Sequence, residues 1–216
     1  MIKILSFLSD QGLSGLSVGL VAGAARVERV AEGFQGRFDM YPILDADKAV
    51  GARGELFFTQ CESQQEIEVL VLDPDEQLPD HRIIISVAAS SFPAFDSVVY
   101  TVLAPPFAPG GIGVDWEDVR SILRLGNRAV LVMSESDESV AETLRLAQSI
   151  LASVDCPRIS GVMPVVFAPQ GATWVEAVRQ VGRAAESLAP NAWRLVAAPI
   201  ILGDAPICAV LAVFPE

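Results

Sequence analysis

The sequence predicts an α/β protein: a first third with a β-α-β rhythm, a central helix, and a C-terminal mixed β-sheet packed with helices. Three observations carry that expectation. Short apolar runs bounded by turn residues alternate with stretches whose apolar positions recur every three or four residues, the two periods of strand and amphipathic helix. The chain is 51% hydrophobic over 216 residues, enough to bury a sizeable core and too apolar for a mainly disordered state. The segment Pro105 to Gly113 holds three prolines and three glycines and forms the clearest internal boundary, because neither residue continues a regular element.

In order, Met1 to Leu8 reads as a strand. The polar Ser9 to Ser17 then delivers the chain to a helix with apolar positions at Leu16, Leu20, Gly23, Val27, Val30 and Phe34. Phe38 to Leu44, Glu55 to Thr59 and Ile67 to Leu72 read as strands, and Asp73-Pro74-Asp75 marks a turn. Arg82 to Ala89 fits a short strand or the approach to a helix. Ser91 is placed to cap a helix from Phe92, in which Pro93 suits the first turn and Ala104-Pro105-Pro106 ends the run. These readings divide the chain into residues 1–91, a central helix and linker at 92–110, and a second domain at 111–216.

Beyond the boundary, Asp115 and Asp118 bracket the start of a helix carrying Trp116, Val119, Ile122 and Leu123, which stops at Gly126-Asn127. Arg128 to Met133 is a strand. Asp137 to Ser153 reads as a helix with Val140, Leu144, Ala147 and Leu151 on one face. Ile159 to Ala168 is a strand, and Thr173-Trp174-Val175-Glu176 is a capping box opening a helix with Val178, Val181, Ala185 and Leu188 on one face. Trp193 to Leu202 and Ile207 to Phe214 read as a closing hairpin. Gly203-Asp204, flanked by Pro199 and Pro206, interrupts this apolar region and favours two buried strands over one membrane helix.

Composition excludes some functions. With a net charge of −12 and two lysines, Lys3 and Lys48, the chain lacks the cationic stripe that tracks phosphates, so no nucleic-acid partner is expected. Cys61, Cys156 and Cys208 are widely spaced and odd in number; they make neither a disulfide framework nor a metal site, and fit a reducing cytoplasm. The single histidine, His81, has no nucleophile motif nearby and reads as a solvent-facing loop residue. Met1-Ile2-Lys3-Ile4 leads into a short apolar stretch with no small-residue cleavage site, so neither a signal peptide nor direct membrane insertion is expected.

Gly111-Ile112-Gly113-Val114-Asp115-Trp116-Glu117-Asp118-Val119-Arg120 resembles the synergy loop of the FtsZ/tubulin family, whose pattern is a glycine, two apolar or small residues, then Asn-x-Asp-aromatic-x-Asp-Val. The Ala-rich stretch Ala141 to Ile150, Ile159-Ser160-Gly161-Val162 and the final helix and strands follow in family order. Upstream, Phe92-Pro93-Ala94-Phe95-Asp96 resembles the family's Phe-x-x-x-Asp at the start of its central helix. The resemblance covers residues 68–216, and for residues 1–67 it rests on element order alone. It implies an FtsZ/tubulin-like fold with a truncated Rossmann-like N-terminal part.

Two pairs of residues carry the functional expectation. Read as helical neighbours four apart, Phe92 and Asp96 can address one ligand, and the resemblance implies a remnant nucleotide site in which the ring stacks on guanine and the carboxylate accepts from its N–H groups. The alternative is a core phenylalanine beside an exposed first-turn acid. Asp115 and Asp118 make a capping box, and the resemblance adds a contact face, Gly111, Gly113, Asp115, Trp116 and Asp118, whose carboxylates orient the attacking water in the next subunit. Here Gly113 stands where the family has asparagine. The family also holds phosphates with a run of the Gly-Gly-Gly-Thr-Gly-Thr-Gly type, because backbone N–H groups approach an anion only where no Cβ intervenes. The nearest segment, Ser9-Asp10-Gln11-Gly12-Leu13-Ser14-Gly15, has two glycines and an aspartate.

The expectation is therefore a pseudo-GTPase without a required cofactor, binding GTP or GDP weakly at most. It would act by contact with an FtsZ-like filament or with itself in cell division or cytoskeletal assembly. The alternatives are a divergent, polymerising GTP-binding GTPase and an unrelated α/β enzyme or small-ligand binder using the Phe92–Asp96 region. Because the sequence ends at Phe214-Pro215-Glu216, any attachment is expected through the folded body.

Overall fold

The computed structural model describes residues 3–4, 17–21, 39–42, 56–72, 80–107, 110, 112–135, 145, 149, 158–169, 174–202 and 207–215. The fold is mixed α/β. The strands are β1 (Lys3–Ile4), β2 (Ser17–Val21), β3 (Asp39–Pro42), β4 (Leu56–Gln60), β5 (Glu66–Val71), β6 (His81–Ser90), β7 (Arg128–Glu135), β8 (Gly161–Pro169), β9 (Trp193–Arg194), β10 (Ile200–Leu202) and β11 (Ile207–Phe214). The helices are α1 (Ala94–Phe107), α2 (Trp116–Leu123) and α3 (Trp174–Leu188). The strands form one sheet in the order β1-β10-β8-β11-β7-β6-β5-β4-β2-β3, with β9 also paired to β8.

Alternation along the strands builds two layers of core. Met163, Val165 and Phe167 of β8, and Ile207, Ala209, Leu211 and Val213 of β11, join the large cluster that α1 and α2 cover. The intervening residues face α3: Val162 and Val210 pack with Ala185, and Val166 and Cys208 with Val181. A strand covered on both faces needs apolar residues at every position, and β8 and β11 are buried throughout. In contrast β6 buries Ile83, Ile85 and Val87 while Arg82, Ile84 and Ala88 are exposed, the pattern of a sheet wetted on one side. On that side Arg82 pairs with Glu68 at 2.9 Å. β6 lies beside β7, and the large cluster includes residues on both sides of the Pro105–Gly113 segment.

Several expectations change. Ser17–Val21 is a strand, parallel to β3 and β4, where a helix from Leu16 was expected; Val18 and Leu20 also satisfy a period of two, and pairing on both edges selects it. The rest of that expected helix, the Asp73-Pro74-Asp75 turn and Thr173 lie outside the described residues. So does the expected helix Asp137 to Ser153, apart from Arg145 and Ser149, which are helical. Arg82 to Ala89 belongs to a ten-residue strand. The closing hairpin is absent: β8 lies between β10 and β11, parallel to one and antiparallel to the other. A wholly apolar β8 must be central, and a central strand requires a neighbour on each edge. Trp193 to Leu202 is divided into β9 and β10, both along β8. α1 runs through Pro105 and Pro106 to Phe107: proline's fixed φ suits a helix, but each removes an N–H bond from the last turn, and the helix ends directly after them.

The turn from α2 into β7 contains a close approach. A Cβ built on Gly126 would lie 1.6 Å from the Phe214 carbonyl oxygen and 2.5 Å from its carbon. Gly126→Ala must therefore move backbone, and it is expected to cost about 3 kcal/mol or more in urea unfolding. Gly182 inside α3 is the control: a Cβ there meets nothing within 4 Å, so Gly182→Ala is expected to stabilise by about 0.5–1 kcal/mol through helix propensity. Similar effects at the two positions would remove the close approach as a constraint.

Candidate functional site

The start of α2 is built by its own side chains. Asp115 is extended at φ −103° and ψ 175°, and its carboxylate accepts from the Asp118 N–H at 2.9 Å. The Asp118 carboxylate accepts in return from the Asp115 N–H at 3.2 Å. This reciprocal pair satisfies two N–H groups at the helix end and puts negative charge at the positive end of the dipole. Both aspartates are exposed, and each uses one carboxylate oxygen for the cap. Glu117 adds a third acid and pairs with Arg120 at 2.6 Å.

Beneath these acids the helix is anchored. Val119, Ile122 and Leu123 are fully buried, and Trp116 is half-buried against the same core. Gly113 is exposed, and a Cβ there would meet nothing within 4 Å. Gly111 lies outside the described residues.

The far end of α2 holds a residue that sequence reasoning misplaced. His81 is not in a solvent-facing loop: it begins β6, is half-buried, and its Nε2 lies 3.0 Å from the Leu123 carbonyl oxygen and 2.9 Å from that of Gly126. Carbonyl oxygens only accept, so Nε2 carries the hydrogen and donates to both. The helix ends at Leu123 with Arg124 as its cap, two residues before the expected stop, because His81 and the turn bonds already satisfy its last carbonyls.

The second expected pair is arranged differently. Phe92 lies outside α1, which begins at Ala94, so Phe92 and Asp96 do not share a helical face. Pro93 is the reason: its ring disfavours helical backbone for the residue before it. For the same reason Ser91 falls outside the cap position. A chain of hydroxyls organises the elbow instead. The Phe92 N–H donates to Ser90 Oγ at 2.9 Å, Ser90 Oγ donates to Ser97 Oγ at 2.7 Å, and Ser97 Oγ donates to the Pro93 carbonyl at 3.0 Å. Phe92 is half-buried and packs against the large core cluster, as one alternative held. Asp96 is 7% exposed and is not the exposed first-turn acid of that alternative. α1 and α2 pack against each other.

Cys61, between β4 and β5, carries a thiol with a shifted titration. Burial pushes it above 9.0, a backbone hydrogen bond to Glu68 opposes this, and the charges of Glu68 and Glu66 add to the rise. It stays protonated at neutral pH and is a poor nucleophile. Among the described residues no group of histidine, cysteine and acids is placed to hold a metal, and no helix is long and apolar enough to cross a membrane.

Solved structures of FtsZ and TubZ are similar to this chain. An empty FtsZ dimer from M. jannaschii is 24% identical over 55% of this chain and 36% of its own, with a TM-score of 0.48. A mutant FtsZ from M. jannaschii is 18% identical over 93% of this chain and 57% of its own, also with a TM-score of 0.48. GDP-form protofilaments of TubZ from Bacillus thuringiensis serovar israelensis match at 15% identity over 56% and 35%, with a TM-score of 0.38. The chain thus spans less than two thirds of each. No family model and no curated protein matches it.

His81 supplies a direct test of how α2 is held. His81→Phe removes the donor shared by two carbonyls and is expected to lower stability by about 1–2 kcal/mol, seen as a lower urea midpoint. His81→Gln, which keeps an N–H donor, is expected to recover part of the loss. A midpoint unchanged in both variants would mean that water serves those carbonyls equally well.

Proposed function

We propose that this chain is an FtsZ-like pseudo-GTPase that works by protein–protein contact in cell division or cytoskeletal assembly, with the acidic start of α2 as its contact surface. The observation that supports this most is the division of labour within α2. Val119, Ile122 and Leu123 are buried and hold the helix, while Asp115 and Asp118 are exposed and contribute little to that anchoring. Burying each aliphatic side chain is worth about 1.5–3 kcal/mol. A cap contributes about 1 kcal/mol. The carboxylates are thus dispensable for the fold and available to a partner.

The double variant Asp115→Asn, Asp118→Asn separates contact from capping. Both amides retain an oxygen that accepts the cap N–H, so the change is expected to cost at most about 1 kcal/mol, and less as salt rises. Self-association in sedimentation velocity, or co-pelleting with FtsZ filaments, is expected to fall clearly. Lost stability with unaltered association would leave the pair a helix cap and nothing more.

The absence of hydrolysis rests on the sequence. Without a glycine-rich anion cradle, and with Asp10 where phosphate would meet like charge, the chain is expected to release phosphate from GTP at the background rate. Micromolar GTP affinity with phosphate release would replace this reading by that of a divergent polymerising GTPase.

A further inference from the structure

His81 reaches α2 from another part of the sheet. It opens β6, where it pairs with Val71 of β5, and its Nε2 donates to the carbonyls of Leu123 and Gly126 at 3.0 and 2.9 Å. The nearby backbone joins the same turn, for the Ile84 N–H donates to the Asn127 carbonyl at 2.9 Å. These contacts lie at and beyond the C-terminal end of α2, whereas the exposed Asp115 and Asp118 lie at its start.

Holding the helix and aiming it are separate tasks. Burial of Val119, Ile122 and Leu123 keeps α2 on the core, but apolar burial is non-directional and tolerates a change of tilt. The close approach of Gly126 to the Phe214 carbonyl is a steric stop, which opposes motion toward β11 and leaves motion away from it open. Hydrogen bonds weaken steeply when misaligned, so the two from His81 resist tilt in either sense. The far end of the helix magnifies any tilt. A helix of eight residues is about 12 Å long, so a tilt of about 10° at the His81 end carries the other end through about 2 Å. Hydrogen bonds to a carboxylate form at about 2.7–2.9 Å, and a displacement of that size breaks them.

We propose that His81 is a positioning residue for the contact surface: by donating to Leu123 and Gly126 it sets the tilt of α2, and with it the place at which Asp115 and Asp118 meet a partner. This rests on the reading of the α2 start as a contact surface. It adds that the affinity of that surface is controlled from β6, by a side chain at the opposite end of the helix.

The test follows self-association in sedimentation velocity, or co-pelleting with FtsZ filaments, for the full chain without denaturant. His81→Phe is expected to weaken association by about threefold or more, within the range for residues that couple through a packed element. His81→Gln, which keeps an N–H donor, is expected to recover part of the loss. Val181→Ala, in the core beneath α3, lowers stability away from α2 and is expected to leave association unchanged. In the Asp115→Asn, Asp118→Asn background, His81→Phe is expected to add nothing further to the loss of association, because the charges it positions are gone.

A second readout needs no partner. With Trp174→Phe and Trp193→Phe in place, Trp116 is the one tryptophan left. It is half-buried at the start of α2, so its emission maximum and its quenching by acrylamide report the tilt. His81→Phe is expected to move both, and Val181→Ala neither. An unmoved Trp116 in His81→Phe, or an equal loss of association in Val181→Ala, would overturn the positioning role. A moved Trp116 with undiminished association would also overturn the proposal, and the double aspartate variant then shows which part failed. If that variant associates normally, the contact surface itself is wrong; if it associates weakly, only the control from β6 is.

Discussion

The pose of α2 depends on the close approach of Gly126 to the carbonyl of Phe214, where β11 ends. No side chain fits between the two backbones, so the turn leaving α2 seats against the last residue of the central strand. His81 fastens the same corner from β6 by donating to Leu123 and Gly126. One helix end is thereby tied to two strands that are far apart in sequence. The N-terminal end of α2, with its exposed carboxylates, stands wherever this corner sets it, because three buried side chains leave an eight-residue helix little freedom to slide.

β11 can play this part because it lies between β7 and β8 and is antiparallel to both. All of its residues are buried, and its alternate side chains supply the cores beneath α1 and α2 on one face and α3 on the other. On its other side β8 is flanked by β9 and β10, and β10 pairs in turn with β1.

How much of this was legible in the sequence varied with the range of the interaction. The capping box at Asp115 and Asp118 was readable because both partners lie within three residues. The apolar positions of α2 and α3 were readable from their period. The position of Phe92 was also available, since the residue before a proline resists helical backbone, and only the contrary attraction of a helix-compatible Pro93 obscured it. His81 was not readable, for its partners are 42 and 45 residues away. The missing hairpin lies between these cases. Neighbouring strands usually pair, but the continuous apolar run of β8 already required a strand on each side of it.

The acids of α2 illustrate why one residue pair serves local structure and recognition without conflict. A cap needs one oxygen from each carboxylate and tolerates any neutral acceptor of similar shape. A partner responds to the charge, and to the oxygens that the cap leaves unused. Stability therefore constrains the shape of these side chains, while association constrains their charge, and the two demands separate on substitution by asparagine. Asp96 occupies the opposite situation. It is a buried acid in the first turn of α1, and burying a polar group is costly unless it is hydrogen-bonded. The acids to which the resemblance gave two separate roles, Asp96 in a nucleotide site and Asp115 with Asp118 at a contact face, are thus under different physical control: the exposed pair can be altered to study contact alone, whereas any change at Asp96 alters α1 and its core at the same time.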